Sequence, residues 1–309
     1  MKLLYKPFSN RQFEGDWVVM VGNFDGFHLG HQALAHQLTL DQKEFAASSA
    51  ILTFDPHPKQ VLQPEVPFYQ IYPNETKWEL IEQTGIDACL IAPFSHQFAG
   101  LSATEFMDRL FRYIRLKKVL VGYDFNFGKG REGSAQMFEL QCQKNGVQFE
   151  MVAPVRHKGF TVSSTLIRRL LFEAEFKEAA HFLGRRWSIA GEVTQGMRKG
   201  HELGFPTLNL PSEVLLPIKL GVYVCEVLFK GTLYPAVCNV GYKPTFEGKH
   251  LVAEAHLFGF SEEGYGEHAE IFPVHFLREE KKFTSLELLS SQIQQDAAQA
   301  RAYFGIPMS

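Results

Sequence analysis

Along the first 185 positions, apolar residues come in short runs at 17–22, 49–54, 87–92, 117–122 and 147–152. The segments between them place apolar residues every three or four positions. The runs predict strands buried on both faces, and the spacers predict helices. Trp17-Val-Val-Met-Val21 is the plainest strand; after a glycine-rich turn, Ala33, Leu34 and Leu38 follow at helical spacing. A helix is therefore expected to start near Leu29. Ser102-Ala-Thr-Glu105 reads as a capping box ahead of Phe106, Leu110 and Tyr113 or Ile114. Gly184 reads as the stop of a helix carrying Ala179, Phe182 and Leu183. This βαβα alternation implies an α/β fold: a doubly wound parallel sheet with ligands at the carboxyl ends of its strands.

From Trp187 the rhythm changes to six strand-like stretches near 187–195, 205–210, 221–229, 232–240, 250–259 and 268–277. Phe229-Lys-Gly-Thr232 predicts a tight hairpin between two of them. Short antiparallel strands of this kind make a small β-barrel or sandwich. Thr284-Ser-Leu-Glu287 reads as the capping box of a closing helix. Its buried stripe would be Leu286, Leu289, Ile293, Ala297, Ala300 and Phe304, lying over an open barrel end. The expected division is 1–184 for the α/β domain and 185–309 for the barrel domain with its C-terminal helix.

Composition narrows the function. The chain has 309 residues and a 45% apolar share, enough for one large or two medium domains with real cores. Its net charge of −3 offers no general attraction for nucleic acid, which argues against a tRNA-charging enzyme. The four cysteines, at 89, 142, 225 and 238, form no spaced pair and predict buried free thiols in a reducing compartment. No segment resembles a signal peptide, and no apolar run approaches the roughly 20 residues that span a bilayer. A cytoplasmic protein with no membrane or nucleic-acid partner is expected, as a monomer or weak homo-oligomer. The 28 phenylalanines read mainly as core filling, with a bias toward flat aromatic ligands.

The densest chemistry lies in Gly22-Asn23-Phe24-Asp25-Gly26-Phe27-His28-Leu29-Gly30-His31. A strand, a glycine turn and a helix N-terminus together make an anion site, because amide N–H groups and the helix dipole point at the ligand. His28 and His31, three apart, would share one side of the first helical turn and donate to phosphate oxygens as charge builds. Zinc binding is an alternative, but no third ligand lies nearby and the chain holds no Cys-x-x-Cys. A structural histidine pair is the other bland reading. The His-x-Gly-His pattern resembles the signature of the nucleotidylyltransferase superfamily, which class I aminoacyl-tRNA synthetases share.

Three further segments fall where a doubly wound sheet puts its ligands: Phe54-Asp-Pro56-His-Pro58, Gly122-Tyr-Asp124-Phe-Asn126-Phe-Gly128, and Ser163-Ser164-Thr165-Leu-Ile-Arg168. Singly, each reads as a loop or an N-cap. The prolines predict a stiff, extended loop. Arg168 offers a bidentate grip on phosphates. Gly128-Lys-Gly130-Arg-Glu-Gly133 formally matches a dinucleotide fingerprint, yet the strand ends at Gly122, too early for glycines of a strand-to-helix turn.

Taken in order, these segments resemble the amino-terminal module of the prokaryotic bifunctional riboflavin kinase/FMN adenylyltransferase family, also called FAD synthetase. Pantetheine-phosphate and nicotinamide-mononucleotide adenylyltransferases share the first and last motifs but not the middle. The resemblance implies that the 22–31 turn and the 163–168 segment hold ATP. Phe54, Pro56, Pro58, Asp124 and Asn126 would shape the flavin side. The FMN phosphate is already ionised at neutral pH and needs no base. Catalysis would then rest on alignment and charge stabilisation by His28, His31 and Arg168, with Mg²⁺ assisting.

The second half continues the likeness. Gly196 to Leu210 includes Gly204-Phe-Pro206-Thr207-Leu208-Asn209, which resembles the riboflavin kinase segment whose Thr and Asn bind Mg²⁺ and ATP phosphates. By itself this segment reads as a flexible loop entering a strand. Asn239-Val-Gly-Tyr-Lys-Pro244, Ala253-Glu254-Ala-His-Leu257 and Leu277-Arg278 match later blocks in order. The resemblance implies Glu254 as the general base for the riboflavin hydroxyl, Thr207 and Asn209 as metal-nucleotide ligands, and Gly204, Pro206 and Arg278 as cofactor contacts. Periodicity alone would make Glu254 an outward-facing strand acid. His201 stands where arginine is usual, and Leu208 where alanine is. The implied sequence is riboflavin to FMN to FAD; the alternatives are an adenylyltransferase with a degenerate barrel, or a flavin- or nucleotide-binding regulator without turnover.

Overall fold

A computed structural model of the chain describes residues 1–5, 7–8, 13–195, 205–245, 248–260 and 264–307. It divides into two compact units: Met1–Phe68 with Asn74–Ser163, and Tyr69–Pro73 with Ser164–Ser309.

The first unit carries strands β1 (Lys2–Tyr5), β2 (Phe13–Val21), β3 (Ser48–Asp55), β4 (Ala88–Pro93), β5 (Ile114–Gly122) and β6 (Gln148–Val152). All pairings are parallel, in the order β1-β4-β3-β2-β5-β6. Every apolar run of the sequence forms one of these strands. The strand period of two splits β2 between both faces of the sheet. Val18 and Met20 pack with Leu34, Ala35 and Leu38 of α1 (Leu29–Glu44) and with Trp78 and Ile81 of α2 (Asn74–Glu82). Val19 and Val21 pack with Phe106, Met107 and Leu110 of α3 (Ala103–Tyr113) and with Phe138 and Cys142 of α4 (Ala135–Lys144). Each large side chain fully buried here stabilises the fold by about 1.5–3 kcal/mol. The Ser102 box forms as expected: its hydroxyl accepts from the Glu105 amide while Glu105 accepts from the Ser102 amide.

Of the cations on β5, Lys118 alone is buried. Lys118 Nζ donates to Asp41 Oδ1 at 2.9 Å and Glu150 Oε2 at 2.7 Å, with the lysine and Asp41 side chains 9% and 1% exposed. Burial presses its pKa down, but the bonds to Glu150 and Asp41 outweigh burial and raise it. Since the folded state holds this proton more tightly, the stabilisation is complete below the ordinary lysine value of about 10.4 and is lost as pH rises beyond it. Lys118→Met leaves Asp41 buried without its counter-ion and should lower the unfolding free energy by about 3–5 kcal/mol. Urea titration at neutral pH measures this; a loss under about 1 kcal/mol would show the pair to be dispensable.

The second unit contains α5 (Ser164–Phe172), α6 (Phe176–Leu183) and an antiparallel sheet. Its strands are β7 (Ile189–Glu192), β8 (Leu208–Ser212), β9 (Gly221–Phe229), β10 (Thr232–Thr245), β11 (Gly248–Leu257) and β12 (His268–Glu279), ordered β7-β12-β9-β10-β11-β8. An isolated bridge between Thr194 and Asn209 joins the two free edges, so the sheet is a nearly closed barrel. Lys230 and Gly231, at φ 47° and 77°, make the expected hairpin turn. Gly184 ends α6 at φ 75°, where a side chain would be strained.

The closing helix, α7 (Leu286–Tyr303), departs from expectation at its start. Ser285, not Thr284, is the N-cap, its hydroxyl accepting from the Leu288 amide at 3.3 Å. Leu286 and Leu288 lie exposed, while Ala297, Ala300 and Phe304 pack on Val222, Val224 and Val237. The stripe thus covers the wall formed by β9 and β10 rather than an open end. Asp296 fixes it there through a two-pronged bond from Arg278 at 2.6 and 2.9 Å.

Candidate active sites

In the first unit, β2 and β5 are neighbours whose connections leave in opposite directions, to β3 and to β6. Such a reversal opens a crevice beyond the strand ends, where open α/β sheets bind ligands. The 22–31 turn leaves β2 at this point. Phe24, Gly26 and Phe27 adopt φ of 53°, 79° and 37°, and Phe24, Asp25, Phe27 and His28 are buried. Thr53 Oγ1 donates to the Asn23 carbonyl at 3.2 Å, and the Gly22 amide donates to Leu52 O at 3.1 Å, which ties the turn to β3. Gln32 Nε2 donates to the Phe27 carbonyl at 2.9 Å.

His28 precedes α1 as its N-cap residue, so the helix begins at Leu29 as expected. The His28 and His31 rings stack at 3.7 Å and 15°, and Phe24 meets His31 edge-on at 5.2 Å. A Cβ at Gly30 would lie 3.2 Å from the His28 ring, so the bare position gives that ring its place. The first turn of α1 carries no acidic side chain, which leaves its positive end to act on an anion. Within electrostatic reach of Asp25 in the turn lies Lys77, 5% exposed and 4.3 Å from the Trp78 ring. Burial lowers its pKa against the opposing pull of Asp25, Cys89, Asp55 and Glu75. Sequence reading passed over Lys77 because its helix offers no motif, only an ordinary amphipathic spacing.

At the ends of β3 and β4, Phe54 meets Phe94 and Phe98, each at 5.8 Å, and Phe106, Phe125 and Phe127 extend the aromatic cluster. A cleft lined by Phe8, Pro93, Phe98 and Arg109 opens in the same region. The proline segment is less extended than expected. Asp55–Pro56 is a cis bond, and Pro58 starts a short helix, Pro58–Leu62, capped by His57. Proline fits the first helical position because no N–H is required there. Asp124 and Asn126 are exposed, with Asn126 Nδ2 donating to the Asp124 carbonyl at 2.8 Å. Gly128 serves packing: a Cβ there would fall 2.7 Å from the Ala103 nitrogen. Ser163 closes the first unit, whereas Ser164, Thr165 and Arg168 belong to α5 in the second, with Arg168 Nε donating to the Tyr69 carbonyl at 2.7 Å.

The barrel assembles its own polar row. Register pairs Asn209 with Glu254, Glu254 with Asn239, Asn239 with Val222, and Val222 with Arg278, so these residues share one face across five strands. Asn209 is buried and its Nδ2 donates to the Thr207 carbonyl at 3.3 Å. His256 Nδ1 donates to the Pro206 carbonyl at 2.9 Å; burial lowers the His256 pKa, opposed by that bond and reinforced by Arg301. Leu208 points to the opposite face, buried opposite Ala255, so its bulk lies away from Thr207 and Asn209. Lys243 Nζ donates to Glu254 Oε1 and lies 3.5 Å from Asn209 Oδ1. Glu280 rests over Gly241, where burial raises its pKa against the pull of Arg278. Gly204 and His201 lie outside the described residues.

All four cysteines are buried and free, with Cys89 and Cys142 pushed up to about 12 by burial. Among the described residues no helix is long and apolar enough to cross a membrane.

Comparison with known proteins bears on both halves. A family model described as FAD synthetase matches residues 10–166, and one described as riboflavin kinase matches residues 183–304. A bifunctional riboflavin kinase/FMN adenylyltransferase of Listeria monocytogenes is 35% identical over 93% of this chain and 92% of its own length. Its Escherichia coli K12 counterpart is 32% identical, covering 94% and 93% respectively. The crystal structure of a macrolide-efflux protein from Streptococcus pneumoniae superposes with a TM-score of 0.78 and 29% identity, covering 97% of this chain and 99% of that one.

Proposed function

The chain belongs to the bifunctional riboflavin kinase/FMN adenylyltransferase family, and we propose that its two reactions run through the two clusters described above. It phosphorylates riboflavin with ATP to FMN, then transfers AMP from ATP to FMN, giving FAD and pyrophosphate. The riboflavin kinase match sets aside a degenerate barrel. Functionally we divide the chain at 184/185, after the helix stop at Gly184.

For adenylylation, His28 and His31 donate to the α-phosphate and the departing pyrophosphate, with the amides of the 22–31 turn beneath them. Arg168 is assigned to the triphosphate, with Ser163, Ser164 and Thr165 beside it in sequence. Phe54, Pro56, Pro58, Asp124 and Asn126 are assigned to the flavin. The FMN phosphate attacks as the dianion, so alignment rather than a base sets the rate. The observation that carries this assignment is the stacked histidine pair at the reversal point of the sheet.

For phosphorylation, Glu254 takes the proton of the riboflavin hydroxyl. Thr207, Asn209 and Glu254 offer hard oxygen donors, and an ammonium already stands beside two of them, so the set fits Mg²⁺. Thr207 and Asn209 would hold that ion, which neutralises nucleotide charge when bound. Pro206 carries the Thr207 segment, fixed by His256, and Gly204 is assigned to the nucleotide. Arg278 closes the row and anchors α7. The four buried thiols and the charge of −3 support a cytoplasmic enzyme without nucleic-acid partners, and we assign it as a monomer or weak homo-oligomer.

Incubation with riboflavin, ATP and Mg²⁺, followed by chromatography, should yield FMN and then FAD. FAD from supplied FMN but no product from riboflavin would refute the kinase assignment, and no product from either would leave only a binding role.

A further inference from the structure

Lys243 has no part in the reaction as assigned, yet its side chain enters the kinase cluster. In register it stands opposite His250, four pairs along β10 and β11 from the Asn239–Glu254 pair. Its ammonium reaches back along β10 to Glu254 Oε1, and stands 3.5 Å from Asn209 Oδ1. The intervening residue on this face is Gly241, which has no side chain to obstruct the path. The Glu280 carboxylate lies against Gly241, so close that a Cβ would fall 2.1 Å from Oε1. Among the described residues, two carboxylates thus border the centre, while Asn209 and Asn239 add only neutral groups.

We propose that Lys243 is the resident counter-ion of the kinase centre, holding the cation position beside Glu254 and Asn209 until a metal-nucleotide displaces it. This rests on the reading of Thr207, Asn209 and Glu254 as that centre. An ammonium and a divalent ion compete for the same oxygen lone pairs, and their like charges repel at contact distance. A metal arriving alone must displace a tethered cation. A metal arriving with a nucleotide brings the negative phosphates that a displaced Lys243 can then face, so entry of the pair is favoured over entry of the ion.

The test uses Mn²⁺ as the probe on full-length, nucleotide-free protein, with free Mn²⁺ read from its EPR signal. Lys243→Met and Lys243→Gln should each bind Mn²⁺ at least about tenfold more tightly than wild type, a change of roughly 1.4 kcal/mol. Lys243→Arg, which keeps the charge, should stay near wild type. Adding Glu254→Gln to Lys243→Met should cancel the gain, which assigns the tighter site to this cluster. A lysine that merely tied β10 to β11 would not sharpen metal binding when removed. Unchanged or weaker Mn²⁺ binding by both neutral variants overturns the proposal, as does failure of both to fold. Kinase activity surviving in Glu254→Gln alone would instead sink the underlying assignment of the centre.

Discussion

His28→Ala and His31→Ala should each slow FAD formation from FMN by about 10²–10³-fold, the usual effect of losing one electrostatic contact to a transition state. The chemistry leaves few other sources of acceleration. FMN brings its own ionised nucleophile, so the barrier lies in crowding negative charge at the α-phosphorus and onto pyrophosphate. The two imidazoles stand at the start of α1, where the helix dipole acts in the same direction. Because the rings stack, removing one also frees the other, and the double variant should fall short of the product of the single effects. Steady-state adenylylation with supplied FMN reports the loss, and a native thermal unfolding curve excludes a folding defect. Wild-type rates from both variants would show that the triphosphate is handled elsewhere.

Glu254→Gln carries the second large effect. Riboflavin's hydroxyl keeps its proton near neutrality, so a positioned base contributes about 10²–10⁴-fold, and glutamine removes it with little change of shape. FMN formation from riboflavin should drop by that factor, while adenylylation of supplied FMN continues at the wild-type rate. That separation is the informative outcome, because a general folding defect would lower both. Kinase activity within a few-fold of wild type would remove Glu254 from proton transfer.

Much of the fold was legible because its strands are buried on both faces, which leaves largely apolar runs such as 117–122. Lys118 within that run was tolerated because Asp41 and Glu150, distant in sequence, supply its partners. The edge strand β1 escaped notice: four residues long, with Leu3 and Tyr5 exposed, it lacks the pattern of a central strand. The start of α7 was misplaced by one residue because Thr284 and Ser285 are both competent caps. Only the extended backbone of Ser285 decides between them.

The two sites were unequal for a related reason. The 22–31 turn is contiguous, so its glycines and histidines announce their geometry in the chain itself. The kinase row is assembled by register between Asn209, Glu254, Asn239 and Arg278, which no local pattern displays. Resemblance supplied Glu254 and Asn209. It did not indicate that Arg278 would be engaged by Asp296, or that Lys243 would reach back over Gly241.

The bridge from Thr194 to Asn209 has a consequence for how the barrel responds to its substrate. Elsewhere the staves are laced by runs of paired residues, but this gap is stitched once among the described residues, next to the amide assigned to the nucleotide. A nucleotide bound at Asn209, as proposed, would act as extra thread beside that single bridge. Saturating it a hundredfold above its dissociation constant adds about 2.7 kcal/mol to the folded state. On that assignment, feeding and fastening would be one event: the supply of nucleotide would also set the stability of the barrel.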